Sequence, residues 1–168
     1  MTLLQIIKEP NPLLRAISSP VEVIDADLKD FMHSMLDTMH AEKGIGIAAI
    51  QVGHPIRALI VEIKSGFPFF IINPVVKALS IEQISLQEGC LSVREDDGIG
   101  FIRNDIERPI SINISYTNLH GQTLELDIDG NKSEYHKWFA RCLQHEMDHL
   151  DGKLLIDYQP ILSPVDEL

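Results

Sequence analysis

A chain of 168 residues with 45% hydrophobic side chains can bury one core, and predicts a single domain over 1–168. A formal charge of −11 excludes a general nucleic-acid binder, which needs a basic footprint. No apolar run reaches the roughly 18 residues that span a bilayer, and the stretch before Lys8 is too short for a signal-peptide core, so a cytoplasmic protein without membrane contact is expected.

Pro10, Pro12 and Pro20 make residues 1–20 a turn-rich lead-in. A helical stripe follows at Leu28, Phe31, Met32, Met35, Leu36 and Met39, with Asp25 or Asp27 as its cap and a Met-rich face read as core. The segment GIGIAAIQVG, 44–53, implies tight turns or close backbone approach. Residues 56–63 read as a strand with Val61 and Ile63 inward, and 69–76 as an apolar run broken at Asn73-Pro74. Residues 79–87 are expected to be extended, and 94–98 to form a polar loop. ISINISY, 110–116, and Thr123–Ile128 alternate as the two arms of a hairpin across the turn 118–121. Ser133 is the candidate N-cap of a helix ended by Gly152. A short apolar run, LLIDY, comes next, and the tail from about 160 to 168 is read as frayed. Helix, antiparallel-type strands, then helix is an α+β pattern.

That last helix carries His145, Glu146 and His149, an H-E-x-x-H pattern. Residues four apart share a helix face, so the two imidazoles can grip one metal ion with Glu146 beside them as a proton carrier. At about 100° per residue, Trp138, Phe139, Cys142 and Leu143 fall on the same side as these three, and Lys137, Arg141, Gln144 and Asp148 fall opposite. Polar groups on an apolar face are costly to bury unless paired or metal-bound. A catalytic site of this kind takes a third protein ligand and keeps one position open. Cys142 is too far along the axis from His149, about 10 Å, and is read as a small buried hydrophobe. Cys90, in QEGCLSV, is the alternative, with His40, His54, His120 and His136 as competitors.

Three blocks stand in order: GIGIAAIQ at 44–51, EGCLS at 88–92 and QHEMDHLDG at 144–152. Together they resemble peptide deformylase, over roughly residues 5–160. The resemblance implies strands wrapped around a central H-E-x-x-H helix, and hydrolysis of the formyl group from formyl-Met nascent peptides. It implies Cys90, His145 and His149 as metal ligands and Glu146 as general acid/base. Gln51 and the backbone N–H of Leu91 become the oxyanion donors, and Gly46 a backbone contact to the substrate. The ion implied is Fe2+, with Zn2+, Ni2+ or Co2+ as substitutes. A Met-side-chain pocket is expected from Ile45, Trp138 and Cys142. The family's peptide-contacting arginine has no fixed counterpart in VREDDGIG, where Arg94 is one candidate. Ribosome contact is a further expectation, although the long C-terminal helix of many bacterial members has no counterpart here.

Three rival readings are weighed. An H-E-x-x-H protease needs a His or Glu ligand downstream, and after His149 only Glu167 is available. A dinucleotide module could use Gly44, Gly46 and Ala49 as G-x-G-x-x-A, but that motif must join a strand to a helix. A closed structural metal site, or a deformylase-like chain without activity, would lack a use for the Gln51 and Glu146 pair.

Overall fold

The computed structural model describes residues 3–95 and 101–158. Helix α1 spans Ala26–Ala41 and α2 spans Glu134–Leu150. Strands β1 (Gly46–Ala48), β2 (Ala58–Val61), β3 (Phe69–Leu79), β6 (Ile112–Thr117) and β7 (Thr123–Ile128) form one sheet in the order β1-β2-β3-β6-β7. Strands β4 (Gln83–Arg94) and β5 (Phe101–Pro109) form a separate two-stranded ribbon. Every strand pair is antiparallel, as the α+β reading expects.

The five-stranded sheet lies between the two helices. Leu59, Val61 and Ile71 point to one side and pack with Phe139, Leu143 and Leu150 of α2. Ala58, Ile60 and Ile72 point to the other and pack with Met32, Met35 and Met39 of α1. The Met stripe is therefore core. Cover on both faces also explains why all four residues of β2 are buried, where the sequence suggested inward positions only at Val61 and Ile63. The strand is shorter than 56–63 for a related reason: β3 pairs with it only from Phe69 to Ile72.

Local chemistry sets the ends of these elements. The Asp25 side chain accepts from the Leu28 N–H at 2.9 Å and caps α1. Ser133 caps α2 by accepting from the His136 N–H, and Gly152 leaves the helix at φ 70°, a left-handed turn that glycine adopts freely. Asn73-Pro74 does not break β3. The ladder to β6 slips there, Asn73 takes φ 51°, and its amide bonds both the N–H and the C=O of Val21. The strand continues past a bulge.

The ribbon was only half expected. β5 has few apolar residues, and its pairing with β4 through Gln83 to Gly89 organises it. The register then shifts between Gly89 and Arg94, so the segment Cys90–Val93 leaves the ladder. Part of the expected 94–98 loop and the 160–168 tail lie outside the described residues.

Candidate metal centre and active site

α2 presents His145 and His149 one turn apart, with ring centroids 5.0 Å apart and planes at 79°. Where β4 leaves its ladder, Cys90 meets them: its Sγ lies 3.3 Å from His149 Nε2. One ligand atom from each of Cys90, His145 and His149 lies within 4.8 Å of the others, and all three residues are buried. Zinc-like bond lengths at a tetrahedral angle put sulfur and nitrogen about 3.5 Å apart. The donor set thus fits one divalent ion. Both cysteines are free thiols, and Cys142 is no part of the triad. The competing histidines are absent from it too.

Electrostatics point the same way. His149 Nδ1 and Glu146 Oε2 are buried without a hydrogen-bond partner. Burial holds His149 well below the ordinary imidazole range, so it stays neutral, as a ligand must be. Burial alone would depress His145 too, but Cys90 and Glu88 outweigh it and raise it well above that range. The spot favours positive charge, and a divalent cation supplies it.

Glu88 is the residue that motif reading left without a role. Its Oε2 accepts from His145 Nδ1 at 2.8 Å, which turns the other ring nitrogen toward Cys90. Its carboxylate also accepts two bonds from Arg108, at 2.7 and 3.0 Å, and one from Arg141 at 2.9 Å. Burial works against its charge, but bonding by His145 and Arg108 prevails and holds its pKa down to about 2. Arg141 also donates to the carbonyls of Ile106 and Ile84, while Arg108 reaches Asp148 at 2.7 Å. Arg141 and Gln144, on the side of α2 opposite the histidines, are therefore buried, at 3% and 9% exposed, while Lys137 and Asp148 are half-buried. The ribbon covers that side.

A cavity of about 320 Å³ opens beside the centre, lined by Gln51, Cys90, Leu91, His145 and Glu146 together with Ile45, Gly46, Trp138 and Cys142. The nominated metal ligands, proton carrier, oxyanion donors and pocket residues line it, apart from His149. Burial, the largest influence, pushes Glu146 up to about 7. Gly46 has a stringent steric reason to be glycine. A Cβ there would sit 2.5 Å from both Cys142 Sγ and Glu146 Oε1. Gln51 is fixed at both ends: its Oε1 accepts from the Ala48 N–H at 2.8 Å, and its Nε2 donates to Ser92 Oγ at 3.1 Å and lies 3.6 Å from Cys90 Sγ. Gly44–Ala49 runs from a loop into β1 and then a short 3-10 turn, so the strand-to-helix junction of a dinucleotide fold is lacking.

Arg94 does not line this cavity. It bonds Glu42 at 3.0 Å and the Leu91 carbonyl at 3.3 Å. Arg103 lines it instead, set there by pairing with Gly89 across the ribbon. Only the unforeseen strand β5 could have pointed to it.

The polypeptide deformylase family model matches residues 3–164. A peptide deformylase of Maricaulis maris is 41% identical over 94% of this chain and 86% of its own length. One from Bartonella tribocorum is 38% identical over 94% and 85%. The crystal structure of peptide deformylase from Ehrlichia chaffeensis in complex with actinonin superposes with a TM-score of 0.84 at 34% identity, covering 99% of this chain and 92% of that one. The Thermotoga maritima peptide deformylase superposes with a TM-score of 0.83, also at 34% identity, over 98% and 100%. With a Cys/His centre of the right chemistry at the heart of this fold, the chain belongs to the polypeptide deformylase family and is a metal-dependent hydrolase of the N-terminal formyl group.

Proposed function

We propose that the chain acts as one catalytic domain in the cytoplasm, releasing formate from formyl-methionyl nascent peptides with ferrous iron as its native ion. The observation that carries this reading is the convergence of Cys90, His145 and His149 beside the unpartnered carboxylate of Glu146 on the wall of one cavity. The mixed sulfur and nitrogen donors suit several first-row ions, so zinc, nickel and cobalt are expected substitutes. A divalent ion held by these three residues polarises a carbonyl and acidifies water.

The chain's own groups do the rest. Glu146, whose pKa burial raises, accepts the proton of the attacking water and delivers it to the departing amine. Gln51 offers its anchored Nε2 to the formyl oxygen as charge develops there. The Leu91 N–H is the second donor. Its segment has left the β4–β5 ladder, which supports that role. The Met side chain enters between Ile45 and Trp138 toward the buried Cys142. β1 is an edge strand, so Gly46 can offer its backbone to the first peptide group of the substrate. Arg103, on the cavity wall, takes the peptide-contacting part for which Arg94 was one candidate. Docking near the ribosomal exit would supply the substrate.

Formate release from formyl-Met-Ala-Ser by anaerobically purified protein, with metal content measured alongside, tests the reading. Turnover should rise with iron occupancy and vanish on chelation. Full turnover by the metal-free protein would refute it.

A further inference from the structure

A second cleft, about 450 Å³, lies away from the metal centre, between α1, the start of β3 and the β6–β7 hairpin. Its lining differs sharply from the chain average. Three of its ten lining residues, Phe69, Phe70 and Tyr116, are Phe or Tyr, against 6% aromatic overall. Two more are the imidazoles of His33 and His120. In a chain with 25 acidic and 14 basic side chains, none of the ten is a carboxylate and one is Lys29.

Some of the polar groups in this cleft are unpaired, while His33 and Asn118 are held by local bonds. Among the described residues neither the Lys29 ammonium nor the His120 ring has a hydrogen-bond or ion-pair partner. Tyr116 is 8% exposed and its ring belongs to the core, and among the described residues its hydroxyl has no hydrogen-bond partner. His33 is oriented: its Nδ1 donates to the Lys29 carbonyl at 2.7 Å, and its ring lies against Phe70 at 5.3 Å. Flat walls, a hydroxyl donor, an unpaired ammonium and no repelling acid define one kind of guest.

We propose that this cleft binds a small planar-ring anion, the ring between Phe70 and the Tyr116 side and the anionic group held by Lys29, His120 and the Tyr116 hydroxyl. A carboxylate and a phosphate monoester share that chemistry. At the efficiency typical of drug-sized ligands, a two-ring carboxylate should bind with a Kd on the order of 1 mM.

The test is amide chemical-shift mapping on the isotope-labelled, zinc-loaded enzyme, titrated separately with 2-naphthoate, its neutral isostere 2-naphthamide, and adenosine monophosphate. Shifts should cluster at Lys29, Phe70, Tyr116 and His120, with an anion binding about two- to fivefold more tightly than the neutral amide, as one partly exposed charge pair allows. Lys29→Met should erase that difference while leaving deformylation unchanged. Tyr116→Phe should weaken the anion by about two- to tenfold. Whichever of naphthoate and the nucleotide binds more tightly identifies the anionic group the cleft prefers. Shifts confined to the Gly46, Cys142 and Glu146 cavity, equal affinity for acid and amide, or a Lys29→Met variant that keeps the preference would each overturn the proposal.

Discussion

On one flank of α2, His145, Glu146 and His149 face Cys90 and β1; on the other, Arg141 and Asp148 face Glu88 and Arg108 on the ribbon. Both flanks are polar and both are covered. They differ in how completely their polar atoms are satisfied. The ribbon side is a closed circuit: each carboxylate oxygen of Glu88 accepts at least two bonds, and Asp148 accepts from Arg108 and from Tyr158 at 2.6 Å. The cavity side keeps Glu146 Oε2 and His149 Nδ1 unpartnered. Unsatisfied buried groups are costly, and here they mark where chemistry is done, while the satisfied network holds the ribbon, and with it Cys90, against the helix.

The strongest test of that division changes one atom on the cavity side. Glu146→Gln keeps shape and should retain metal, yet lose about 10²- to 10⁴-fold in kcat, the range for a positioned proton carrier. Stability should hold or rise slightly, because a neutral amide is easier to bury. A Glu146→Gln enzyme with near-wild-type turnover would move the proton transfer elsewhere. Across the helix the order of effects should invert. Glu88→Ala leaves Arg108 and Arg141 buried without their shared anion and should cost about 3–5 kcal/mol in urea unfolding. It also frees the His145 ring, so metal affinity should fall about 10- to 100-fold. Replacing both arginines by Met in the same background should restore much of the stability and none of the metal affinity. Recovery of both together would mean that Glu88 positions the ribbon and not the ring.

This contrast also marks how far residues alone can be read. The two histidines and Glu146 are legible because helical spacing is local, and Cys90 because a motif surrounds it. Nothing local says that Arg141 is buried. On a helical wheel it falls on the polar side, and only the ribbon, assembled from residues about 30 to 60 positions upstream, covers that side. β5 escaped notice because FIRNDIERP alternates poorly, and its order comes from pairing with β4. Arg103 escaped with it. The hairpin β6–β7, the cap at Ser133 and a cap at Asp25 or Asp27 were legible in the sequence, since each depends on neighbours a few residues away, and the structure selects Asp25.

A smaller effect is expected where the cavity flank touches backbone. In Gly46→Ala the new methyl meets Cys142 Sγ and Glu146 Oε1, and both must give way. Overpacking of this kind costs about 1–3 kcal/mol. Thermal unfolding of holoenzyme reads that cost, and kcat should fall with it because the displaced atom belongs to Glu146, the proposed proton carrier. Pairing the change with Cys142→Ala removes one of the two clashes and should return part of the stability but little of the rate. Equal return of both would place the damage at Cys142 alone.

The mildest change enlarges the cavity and leaves its chemistry in place. Trp138 stands one helical turn before Cys142 and forms a half-buried wall of the cavity proposed to take the Met side chain. Leucine there keeps the apolar character and shortens the wall. Formyl-Phe-Ala should then gain on formyl-Met-Ala in kcat/KM by about tenfold, the scale on which apolar pockets discriminate by size. The turnover number for the Met substrate should stay within about twofold, since no reacting atom moves. The two measurements separate shape from catalysis: a fall in kcat for both substrates, with their ratio unchanged, would mean that Trp138 steadies the helix rather than sizing the pocket.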